Sequence, residues 1–116
     1  MPSDYKNTTD TTAATHQAAP DAGQKICVKS WRVSNKSQSE TATCLLISGS
    51  ETIDELVLPP ESSKTVRYGV DQRPNDGSSR ARGLECNDAE ALKFQQTNAS
   101  LTAGVSSTVV FSVEPV

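Results

Sequence analysis

Not one Leu, Ile, Val or Phe occurs before residue 25, although the chain carries 22 of them in its 116 residues. Folding must recover backbone and side-chain entropy from apolar burial, so a stretch without these side chains does not order itself. Residues 1–24, mostly Thr, Ala, Asp and Gln, therefore read as a polar, flexible N-terminal arm, and residues 25–116 as the folding domain. The whole chain has only two Phe, one Trp and two Tyr. That suffices for a thin two-layer core and leaves no bulk to wall a large ligand cavity. A cofactor enzyme with its own nucleotide domain is not expected, and no cofactor is assigned.

The body alternates short β-prone runs with turn residues and shows no sustained 3.6-residue period. The runs are KICVKSWRV (25–33), TATCLLIS (41–48), TIDELVL (52–58), SKTVRYGV (63–70), ARGLECN (81–87), ALKFQQT (91–97) and STVVFSVE (107–114). Pro59 and Pro60 must end the third, because proline cannot donate to a ladder. In the fourth, Val66, Tyr68 and Val70 fall on one face, with Thr65, Arg67 and Gly69 on the other. NDAEALKF is read as a turn leading into a strand. These seven strands predict an all-β fold, a small antiparallel β-sandwich with an immunoglobulin-like arrangement. Residues 58–66, LPPESSKTV, resemble the corner of many bacterial immunoglobulin-like surface modules, which implies a sandwich corner at this point.

Eleven basic against fourteen acidic side chains give a net charge of −3. A mildly acidic domain lacks the electrostatic footprint of a nucleic-acid binder, and the basic stretch Arg67, Arg73, Arg80 and Arg82 is broken by Asp71 and Asp76. No run approaches the roughly 20 apolar residues of a membrane span. Cys27, Cys44 and Cys86 lack the paired spacing of a zinc site, so no metal is expected. In a small Ser/Thr-rich β domain they are disulfide candidates, one bridge with one thiol left over or a bridge between chains, with three small buried hydrophobes as the other reading. The expected location is accordingly secreted or at the cell surface. The chain opens without a charged, then apolar, export signal, which leaves the cytoplasm open.

His16 is the only histidine and falls in the arm, so the body offers no imidazole for Ser-His-Asp or Cys-His catalysis and no catalytic residue is assigned. Asp54 and Glu55 are adjacent on a strand and point to opposite faces. Asp88 and Glu90 could share a face and read as a solvated turn.

Two features suggest binding. Trp31 and Arg32 are the residue types most often found at interface hot spots, although alternation would equally place Trp31 in the core with Arg32 in water. The string Ser30, Trp31, Arg32, Val33, Ser34 between Cys27 and Cys44 resembles the Trp-Arg loop of microbial α-amylase inhibitors of the tendamistat type. That likeness implies a secreted hydrolase inhibitor whose Arg32 would pair with glycosidase carboxylates. The final run TVVFSV (108–113) is uncharged and β-prone, a profile suited to pairing with a free sheet edge. The expected role is therefore a non-enzymatic module that binds a protein partner or self-assembles through strand edges, with a hydrolase inhibitor as the alternative.

Overall fold

The computed structural model describes residues 2–68, 83–101 and 103–116. These residues form nine strands: β1 (Ser3–Thr8), β2 (Ala14–Gln17), β3 (Gln24–Asn35), β4 (Ala42–Ser48), β5 (Glu51–Leu58), β6 (Ser63–Arg67), β7 (Leu84–Glu85), β8 (Leu92–Gln96) and β9 (Val105–Pro115). One sheet runs β1-β9-β3-β6, with the two-residue β7 also paired to β3, and the other runs β2-β8-β4-β5. Every pairing is antiparallel. No helix among the described residues is long and apolar enough to cross a membrane.

The pairing follows a simple rule. With β7 set aside, outermost pairs with outermost: β1 with β9, β2 with β8, β3 with β6 and β4 with β5, and successive pairs alternate between the sheets. A long antiparallel ribbon wound in this way is a jelly roll. Of the strands that follow one another in the chain, only β4 and β5 pair, across the turn at Gly49. The immunoglobulin-like order expected from seven strands is thus replaced by jelly-roll order, because two further strands come from the segment read as an arm.

All seven expected runs contain strand. The alternation carries through to burial: Leu92, Phe94 and Gln96 of β8 are fully buried, and Val66 and Tyr68 pack on the core while Thr65 and Arg67 are exposed. The ARGLECN run keeps only Leu84–Glu85 as strand. Val70, Gly69 and the stretch holding Arg73, Arg80 and Arg82 lie outside the described residues. NDAEALKF makes a turn, with Ala89 at φ 56°, and enters β8 at Leu92.

The core lies between the sheets and draws on Ile26, Val28, Trp31, Val33, Leu46, Leu58, Phe94, Val105, Val109 and Phe111 among others, every one of them from residue 26 onward. At the Pro59-Pro60 corner the buried amide of Asn35 takes over the hydrogen bonding that proline cannot supply. Its Nδ2 donates to the carbonyls of Glu40, Leu58 and Pro59, and its Oδ1 accepts the Ser37 N–H.

Residues 2–23 are paired into both sheets rather than free. β1 lies along residues 105–110 of β9, the turn at 9–13 crosses from one sheet to the other, and β2 lies on β8. Asp10 shapes the turn by accepting the Thr12 N–H on its Oδ1. Gln95 and Gln96 of β8 donate side-chain N–H groups to the carbonyls of Thr11 and Asp10. The composition argument failed here because main-chain and amide hydrogen bonds to an already folded body can order a segment that brings no apolar side chain. We call residues 2–23 the strap.

Candidate functional site

The most distinctive chemistry lies where the strap meets the core, and a bulge in β3 sets it up. Ile26 and Val28 point inward from even positions, whereas Trp31 and Val33 point inward from odd ones, and the register to β9 shifts between Val28 and Ser30. The extra residue, Lys29, reverses the alternation, and its carbonyl accepts the Tyr68 N–H. Gly83, at φ 97°, packs so closely that a Cβ there would lie 2.3 Å from the Val28 carbonyl oxygen. The bulge turns Trp31 into the core with no exposed surface and leaves Arg32 on the outer face of the sheet.

Trp31 Nε1–H donates to Ser107 Oγ at 2.9 Å. Ser107, fully buried on β9, lies 2.8 Å from His16 Nε2, and His16 Nδ1 lies 2.9 Å from Asp4 Oδ2. The imidazole side chain has no exposed surface, and its ring stands 6.2 Å from that of Phe94, tilted by 42°. Lys6 Nζ sits 3.9 Å from the same Asp4 oxygen. Four strands therefore supply one chain of polar groups: Asp4 from β1, His16 from β2, Ser107 from β9 and Trp31 from β3.

One proton arrangement satisfies every member. A neutral imidazole donates Nδ1–H to the Asp4 carboxylate and accepts Ser107 O–H on Nε2, while Ser107 Oγ accepts the indole N–H. Burial away from water holds the His16 pKa below its ordinary value of 6.5, outweighing the pull of Asp4 in the opposite direction.

An acid, an imidazole and a serine hydroxyl in this sequence have the connectivity of a nucleophile-activating relay. His16, expected to leave the body without an imidazole because it falls in the arm, is carried by β2 against both an acid and a serine of the sheets. In this conformation Ser107 Oγ has no exposed surface and already receives the Trp31 N–H. The arrangement joins two strap strands to two core strands.

No known protein family, curated protein or solved structure matches this chain.

The remaining candidates fall apart spatially. Cys27, Cys44 and Cys86 are all buried and none is joined in a disulfide, which corrects the reading of a bridge within the chain. Burial pushes the Cys44 thiol up to about 12 and the Cys86 thiol up to about 11, so neither is primed to react. Asp54 accepts the Tyr68 hydroxyl hydrogen on Oδ2 and the Glu55 N–H on Oδ1, while Glu55 is exposed. Asp88 and Glu90 are exposed beside the turn. Among the described residues no three His, Cys, Asp or Glu side chains gather as a metal site.

Only the first half of TVVFSV, residues 108–110, is covered on both sides; residues 112 and 113 pair with β3 alone. β9 pairs with β3 along its length and with β1 over residues 105–110. Among the described residues the strands that end a sheet are β1 and β6 in one and β2 and β5 in the other. Sequence reasoning missed Asp4 and Ser107 because Ser107 is 91 residues from His16, and no local spacing announces such a contact.

Proposed function

We propose that this chain is a non-enzymatic module that acts by contact through its strand edges, binding a second copy of itself or a protein partner. The observation that carries this reading is β1: six residues, held by a main-chain ladder, at the outer edge of a sheet whose opposite edge is the equally polar β6. An edge strand presents unpaired N–H and C=O groups to which another strand can add. On β1 the only charges, Asp4 and Lys6, lie on the inward face, and Tyr5, 55% exposed, is the one large apolar side chain offered outward.

The hydrolase-inhibitor alternative draws no support from Trp31, which the bulge turns inward, and would rest on Arg32 alone. Export is a proposal that no longer leans on a disulfide. The experiment that tests the edge reading is the mass of the full chain by light scattering across concentration, with and without reductant. A mass that rises with concentration and ignores reductant supports association through edges. A rise abolished by reductant would trace it to thiols instead, and a single chain at every concentration would remove self-association.

A further inference from the structure

The strap and the body are joined in a way that permits exchange. The strap contributes main chain and polar groups: β1 in register with residues 105–110, the Pro2 carbonyl accepting the Phe111 N–H, the turn held by Gln95 and Gln96, and one buried imidazole. A main-chain ladder does not distinguish one copy of a strand from another. The linker at residues 18–23 is exposed except for half-buried Pro20 and gives the core nothing, and Gly23 at φ 84° has no atom within 4 Å of where its Cβ would stand. Fully extended, six residues reach about 20 Å.

We propose that the outer edge of β9 is a docking site for the strap of a second copy of this chain, exchanged when the polar chain from Asp4 through His16 to Ser107 opens. The proposal rests on the reading of contact through strand edges and deepens it with a second edge, the side of β9 that β1 covers in the closed form, together with its occupant and the latch. In the exchanged pair, residues 3–8 of each protomer lie along residues 105–110 of the other, and the His16 of each strap meets Ser107 of the other body. Every bond of the closed form is remade, and the two forms differ only at the linker and in the entropy of association.

The latch responds to acid. The charged groups facing His16 are Asp4 and Lys6, both on β1, whereas β9, β3 and β8 present Ser107, Trp31 and Phe94. A proton on Nε2 turns the ring into a second donor to Ser107 Oγ and deprives the serine hydrogen of its acceptor. Lys6 adds a like charge, and Asp4 alone favours the imidazolium. Mild acid therefore loosens the strap and frees the β9 edge for another.

Two full-length variants, Tyr5→Cys and Thr108→Cys, test this when mixed. Positions 5 and 108 are partners in the ladder, so a disulfide between the two chains reports a strap of one lying on the body of the other. The expected result is a several-fold increase in cross-linked heterodimer after incubation at about pH 5 and return to about pH 7.5, relative to a mixture kept at about pH 7.5. Adding His16→Gln to both chains should abolish that dependence on acid. The double variant carrying both cysteines in one chain verifies that the bond can form. If it cross-links internally while the acid-treated mixture yields no heterodimer, the exchange is overturned. A mass that still rises with concentration would then leave the strand-edge reading standing at another edge. A single chain at every concentration and pH would remove self-association with it.

Discussion

The strap and the body are ordered by different means. From residue 26 onward, side chains lock together: Trp31, Phe94 and Leu46 are fully buried among aliphatics from both sheets. Along residues 2–23 only Thr8 and His16 are buried, and neither is apolar. The body is held by burial, which is cooperative and demands matching shapes. The strap is held by hydrogen bonds to a surface that the body has already made. Order in a segment can thus be borrowed from its neighbour, provided that one buried group fixes where the segment sits.

The change expected to break the contrast most severely is Trp31→Ala. Removing the largest core side chain costs about 3–5 kcal/mol, a loss that strap and body share because the indole N–H ends the chain from His16. A denaturation curve by fluorescence-independent means such as circular dichroism should show that loss, and a shift below about 1 kcal/mol would mean that the core does not depend on its indole.

Ser107→Ala acts at the junction. It strands the Trp31 N–H and the His16 Nε2 in a dry interior, at about 1–3 kcal/mol. Amide exchange should accelerate along β1 before it does along β3. Equal acceleration in both would mean that strap and body open as one unit.

The effect of pH is smaller, because Asp4 offsets part of it. The folded pKa of His16 lies below 6.5, so as pH falls the unfolded chain takes up the proton first. Stability contributed by the neutral ring is complete above about pH 6.5 and declines as pH drops from there toward the folded value, below which it levels off. Denaturant midpoints for the natural chain, compared with those for His16→Gln across this range, isolate the contribution. A natural chain that gains stability relative to the variant on acidification would show that the attraction of Asp4 exceeds the cost of burial.

Smallest of all should be Tyr5→Ser. The side chain is exposed, and the ladder beneath it is main chain, so stability should move by less than about 0.5 kcal/mol while any concentration-dependent association weakens. A large loss of stability would show that the strap relies on its ring after all.

Much of the body was legible because its signal is periodic. Leu92, Phe94 and Gln96, or Val109 and Phe111, announce a buried face by spacing alone. Apolar residues at 26 and 28 and then at 31 and 33 even mark the β3 bulge, since the interval of three breaks the alternation. The strap gave no such signal: its partner is the backbone of β9, and backbone carries no letter in a sequence. For the same reason jelly-roll order stayed hidden behind seven strands, which satisfy more than one winding until the first two are placed. The cysteines misled because composition argues for a compartment, whereas pairing depends on where the thiols sit.

Lys29 makes β3 a counting device. Each half of the strand tolerates changes of side chain on its outer face, but loss of a single residue at the kink would swap the parity of everything between it and one end. Were the second half to slip, indole would turn to water and guanidinium to the interior, and the hydroxyl on β9 would lose its donor. In this protein the length of one stretch of chain therefore decides the fold as much as the identity of any residue in it.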